Sequence, residues 1–251
     1  ADGNDKWNSG EEGYRDCGCD HLCPEDEGYP GPDDYEGDGA FHAAWLAGGD
    51  SDTALLGGRG ADRGLRGQGD GVWARALVLR QGETTLAIVA FDLIGVFHDE
   101  VERIREDVAA AGLDVDHVIV HSTHVHAGPD TMGLWGRSVT QSGVDPDHLV
   151  EVRAAAVEAI EEALDGLREV DLSVGAVDVA TYSAEKGVKA VIDDARDPWV
   201  IDPMLRVARF ADGGETVASV VFWAEHPETL LDDNVRMTSG FVHALRETVS
   251  D

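Results

Sequence analysis

No stretch of the sequence reaches about 18 consecutive apolar residues, which excludes a membrane-spanning helix within it. Positive charge is scarce as well: 19 Lys and Arg stand against 50 Asp and Glu, a formal net charge of −31, and lysine occurs only at Lys6, Lys186 and Lys189. A field of that sign repels phosphate backbones and anionic headgroups, so nucleic acid is not expected as a partner. Apolar residues are not lacking. At 43% of 251 residues they suffice for the core of one large domain or two small ones, and disorder throughout the chain is excluded.

Cysteine is confined to Cys17, Cys19 and Cys23, grouped around His21 ahead of an acidic, Pro- and Gly-rich stretch ending near Gly39. Two readings stay open: one disulfide with the third thiol paired beyond the chain, or a small metal knot that uses His21, although zinc sites usually bring two separated ligand pairs. Asp33, Asp34, Glu36 and Asp38 offer calcium-type oxygens, but their spacing fits no EF-hand loop and a solvated acidic loop is the simpler reading. Calcium is therefore carried as a secondary cation. Residues 1 to 70 read as loops with one apolar island at Phe41 to Leu46. The start Ala1-Asp2-Gly3 carries no apolar leader, as in a mature protein after signal removal, and with the cysteines it sets the expectation of a secreted or periplasmic protein.

The folded body begins near Val72. Ala74 to Leu79 and Thr85 to Asp92 are β-rich runs joined at Gln81-Gly82, which predicts a hairpin. Val101, Ile104 and Val108 share one face of a helix over 98–111, stopped at Gly112. His117 to Val120 fits a buried strand, and Asp145-Pro146 opens a helix to Leu164. Strands are expected at Leu172 to Ala180, Met204 to Phe210 and Thr216 to Trp223, and a closing helix from Thr238. Alternating strands and helices predict an α/β fold, a mixed central sheet with flanking helices.

The strand at 117–120 flows into His121, His124 and His126, three imidazoles in six residues of a chain with ten. Imidazole is the commonest zinc ligand near neutral pH, and small residues follow, so an ion can approach the backbone closely. In His124-Val125-His126 an extended chain throws the two rings to opposite faces, whereas a turn makes them converge; Ala127-Gly128-Pro129 offers the turn. A second apolar strand ends in the same way, in Ala224-Glu225-His226-Pro227-Glu228. A sheet can bring His226 to His124 across 102 residues, because sites collect at strand ends.

Thr123-His124-Val125-His126-Ala127-Gly128-Pro129 resembles the Thr-His-Thr-His-Ser-Gly-Pro motif of the neutral ceramidases, and Phe222-Trp223-Ala224-Glu225-His226-Pro227 resembles their second histidine segment. Val72-Trp73-Ala74-Arg75-Ala76 and Ile88 to Asp92 fall where that family has an Arg-Ala strand and a strand ending in Asp-Leu, so the likeness runs from Val72 onward. It implies a zinc-dependent hydrolase of a lipid amide such as ceramide, with one zinc ion and at most peripheral contact with a membrane. His124 and His226 match zinc ligands, and His126 matches a histidine that orients or stabilises the reacting amide. Asp92 and Asp130 are second-rank candidates to hold an imidazole tautomer, although a structural part is the first reading for Asp92 and Asp130 stands where the family has a small residue. Arg196 is the nearest match to the family's catalytic arginine, in competition with Lys189, and pairing with Asp193 or Asp197 is its bland alternative.

The family's remaining zinc ligands, a glutamate and a tyrosine, and a serine near the metal lie in segments after the second histidine. Only 25 residues follow His226, so the chain reads as the N-terminal portion of such a catalytic domain over 71–251. Ser239-Gly240 also departs from the family's Ser-Asp. A two-metal reading with Asp130 fits poorly, since that residue is four past His126. The alternative from another class is an acidic secreted module that binds calcium or zinc without catalysis.

Overall fold

The computed structural model describes residues 68–135, 142–186, 198, 200–228, 230, 234 and 236–250. Cys17, Cys19 and Cys23, the acidic loop at 33–38, Lys189 and Arg196 lie outside the described residues. The chain divides into two compact units, Ala1–Asp165 with Pro227–Asp251, and Gly166–His226.

The first unit begins with β1 (Gln68–Gly71), β2 (Ala74–Gln81) and β3 (Thr84–Phe91). β2 and β3 pair antiparallel across a turn whose Gly82 sits at φ +60°, a conformation only glycine adopts without penalty. α1 (His98–Ala110) then carries the chain across to β4 (His117–Ser122), which runs parallel to β3. α2 is Pro146–Asp165. The predicted apolar spacing is what α1 buries, at Ile104 and Val108, while α2 contributes Val152, Ala156 and Ile160 and packs on β2. The two helices are joined by charge. Buried Glu100 accepts from Arg103 at 2.6 Å and from Arg153 of α2 at 2.8 Å, so its carboxylate is compensated twice. Further along, β8 (Met237–Thr238) pairs parallel with β1 and leads into α4 (Phe241–Ser250).

In the second unit, β5 (Asp171–Asp178), β6 (Met204–Asp212) and β7 (Glu215–Phe222) form an antiparallel meander. β6 turns into β7 through Gly213 and Gly214, both at positive φ, the geometry of a two-residue hairpin whose twist suits the strands. α3 (Val179–Lys186) follows β5 directly, where the sequence had been read as strand to Ala180. Leu172, Val174 and Phe222 lie exposed on one face of this sheet.

The α/β class expected from the alternating pattern is what the chain adopts. A single central sheet is not: among the described residues the strands sort into two three-stranded sheets and a two-stranded ladder. Strand periodicity reports which face is buried and carries no information on which strands become neighbours. Among the described residues, no helix is long and apolar enough to cross a membrane.

Candidate metal centre

Because β3 and β4 are parallel, with Phe91 opposite Ser122, the chain leaves both at the same end. The exits stay side by side: Thr123 donates its backbone N–H to Phe91 O at 2.9 Å, and His124 to Leu93 O at 3.0 Å. His124 is the one non-glycine at positive φ among the described residues, at +67°. That conformation costs about 1–2 kcal/mol for an L-residue. It sets the imidazole Nδ1 2.7 Å from the carbonyl oxygen of Ile94. A carbonyl can only accept, so Nδ1 carries the proton and Nε2 the lone pair, the tautomer a metal ligand needs.

Two residues on, His126 gives its backbone N–H to Pro227 O at 3.4 Å, and its Nδ1 lies 3.2 Å from Glu228 Oε1. The His124 and His126 rings meet edge to face, 5.0 Å between centroids at 84°. The two rings therefore converge, and the turn that makes them do so begins at His124 itself. Pro227 is bonded to His226, so the same contact that seats His126 brings in the third ring. One ligand atom from each of His124, His126 and His226 lies within 4.8 Å of the others. Nitrogens held about 2.0–2.1 Å from a tetrahedral zinc stand roughly 3.4 Å apart. Small ring rotations would close that gap, and three imidazoles are a borderline-soft donor set of the kind zinc prefers, so the residues fit the ion.

The support beneath the histidines comes from distant chain. Fully buried Asp92, just past β3, is gripped by both terminal nitrogens of Arg246 from α4, one at 2.7 Å to Oδ1, and accepts the Thr123 hydroxyl at 3.2 Å. Thr238 N–H donates to Ala127 O at 3.1 Å. Asp92 thus braces the backbone before His124, a structural part of the kind weighed above its role as an imidazole partner: its carboxylate meets a guanidinium and a hydroxyl. Asp130 plays a structural part too. Buried to 1% exposure, it accepts from the N–H groups of Met132, Gly133 and Trp135 at 2.9, 2.8 and 3.2 Å, which shapes the loop after the histidines. Burial pushes its carboxyl above the usual range, against the pull of those N–H groups. Its two oxygens are thus engaged by backbone N–H groups of its own loop, and Asp130 is not part of the histidine group. Burial likewise raises Glu225, next to His226.

Gly128 lies against the β3 exit, where an added Cβ would stand 2.8 Å from Asp92 O. Gly128→Ala is expected to destabilise by about 1–3 kcal/mol, read as a lower urea midpoint with unchanged slope, because backbone cannot yield as a side chain does.

Of the residues singled out beforehand, His124, His126 and His226 come together, and His121 sits exposed on β4 outside the group. Glu228 and Arg246 were missed. The former stood within the histidine segment but had no assigned partner; the latter gave no signal, since its helix was read for its apolar face.

The fold is similar to that of neutral ceramidase from Pseudomonas aeruginosa, with a TM-score of 0.59 at 20% sequence identity over 79% of this chain and 32% of that one. A ceramidase complexed with C2 gives a TM-score of 0.55 at 20% identity over 79% of this chain and 31% of that one. The chain thus spans about a third of the length of the solved structures it matches. No family model and no curated protein matches the sequence.

Proposed function

We propose that this chain carries the histidine portion of a zinc-dependent hydrolase that cleaves the amide bond of ceramide or a related N-acyl lipid. The observation that supports it most is the convergence of three imidazoles at strand exits, on a fold similar to neutral ceramidases. His124 and His226 would hold one zinc ion, His124 with its ring fixed by the Ile94 carbonyl. When bound, zinc supplies a Lewis acid that polarises the amide carbonyl and acidifies a water. His126, stacked edge-on against His124, contacts the reacting amide and stabilises the charge that develops on it. Arg196 is proposed as a further cation for that charge.

This chain by itself is expected to be incomplete and inactive, so the test is hydrolysis of a fluorescent short-chain ceramide by a zinc-loaded longer gene product that contains it, with metal counted per chain. Activity abolished by chelation and restored at one zinc per chain is the expected result. Two zincs per chain, or turnover that survives chelation, would refute the assignment; zinc uptake with no turnover would leave a metal-binding module.

A further inference from the structure

The meander of β5, β6 and β7 carries an apolar surface that the histidine chemistry does not use. Its register sets Leu172, Phe210 and Ala218 in one row across the strands, Val174, Ala208 and Val220 in the next, and Ala176, Arg206 and Phe222 in a third. Residues directly opposite in an antiparallel ladder point to the same side, so these rows make one face. Phe210 in the central strand is buried, but the flanks are not: Leu172 is 59% exposed, Val174 79% and Phe222 56%. Ala176 and Ala208 are short, and beside Val174, Phe222 and Arg206 the surface dips into an open groove of about 450 Å³. Arg206 is the one charge in the three rows, and Asp202 neutralises it at 2.7 Å. No Asp, Glu, Lys or Arg occurs over 172–177 or 216–224, in a chain where such residues make up 27%.

Charge decides what can sit there. A second copy would bring another net charge of −31 against the first, and anionic headgroups meet the same repulsion. A zwitterionic bilayer offers no net charge to repel, and its acyl boundary accepts apolar side chains. The face also leads to the candidate metal centre, since Phe222 closes β7 four residues before His226. We propose that this face of the meander seats the protein on a zwitterionic bilayer. The choice of occupant rests on the amide-hydrolase reading, because a lipid amide resides in such a surface. Leu172, Val174 and Phe222 enter the acyl boundary, and the groove over Ala176 and Ala208 takes methylene groups. Arg206 keeps its stem on the apolar surface and its guanidinium, with Asp202, at the level of the headgroups.

The experiment measures partition of the longer gene product onto phosphatidylcholine vesicles by co-sedimentation, for wild type, Val174→Asp, Phe222→Ser and, on the opposite face of β5, Val177→Asp. Burial of one such apolar side chain is worth about tenfold in partition, so Val174→Asp and Phe222→Ser are each expected to lower it by about tenfold or more, and Val177→Asp by no more than about twofold. Exchanging about a third of the lipid for phosphatidylserine is expected to weaken wild-type binding. On ceramide carried in the phosphatidylcholine vesicles, Val174→Asp is expected to raise the apparent KM about tenfold with kcat within about twofold. Equal partition of wild type and Val174→Asp, or equal losses in Val174→Asp and Val177→Asp, overturns the proposal. So does a lipid-free thermal midpoint lowered far more by Val174→Asp than by Val177→Asp, or a dimer that Val174→Asp dissociates, because the face is then packed on protein. Vesicle binding that Val174→Asp abolishes, without ceramide hydrolysis in any variant, upholds the surface and sinks the amide-hydrolase reading; hydrolysis with partition indifferent to Val174→Asp does the reverse.

Discussion

Asp92→Ala is expected to lower the unfolding free energy of the zinc-free protein by about 3–5 kcal/mol, because it strands a guanidinium that is largely shielded from water. Arg246 is 18% exposed and directs two nitrogens at a carboxylate with no exposure at all, so neither charge has much water to fall back on. Arg246→Met should cost a similar amount for the converse reason, leaving the carboxylate with only the Thr123 hydroxyl and no countercharge. The double variant should lose much less than the sum of the two, and the coupling energy of that cycle is the quantity that identifies the pair. Urea titrations of the four proteins provide it. A loss below about 1 kcal/mol in Asp92→Ala would mean that the carboxylate is not what braces the β3 exit.

Replacing His124 with glycine separates function from fold. Zinc affinity is expected to fall at least 100-fold, and ceramide hydrolysis by a longer gene product containing the chain at least 1000-fold, since a ligand and its contact with the Ile94 carbonyl disappear together. Stability moves little. Relief of the left-handed backbone, at about 1–2 kcal/mol, is set against one lost hydrogen bond of about 1 kcal/mol and the extra freedom of glycine in the unfolded chain. The zinc-free variant should therefore unfold within about 1 kcal/mol of wild type, and His124→Ala, which keeps the strain, should be less stable than His124→Gly. Isothermal titration with zinc beside thermal unfolding gives both numbers. Wild-type zinc affinity in either variant would remove His124 from the site.

The elements of this fold were largely legible because they depend on local order. Ile104 and Val108 fix a helix face, Pro146 marks a helix start, and Gly82 marks a turn; in each case the structure places the element within a few residues of its expected bounds. The histidine cluster was legible for a different reason, since its members sit at strand ends next to proline or glycine. What was hidden depends on tertiary neighbours. Asp92 looks like any acid after a strand until Arg246, 154 residues later, is placed against it. Asp130 offered a ligand by composition, and only its three backbone N–H contacts reveal a loop organiser. The division into separate sheets was unreadable on the same ground, because an alternating strand pattern is equally consistent with any choice of neighbour.

The reach of Arg246 to Asp92 also orders events during synthesis. With chain emerging at about 5–20 residues per second, the 154 residues between them take roughly 10–30 s to appear. For most of that interval the chain that supplies Pro227 and Thr238 as backbone partners of the histidine loop has not been made either. A cluster that needs His226 as well as His124 and His126 is incomplete until residue 226 has been made.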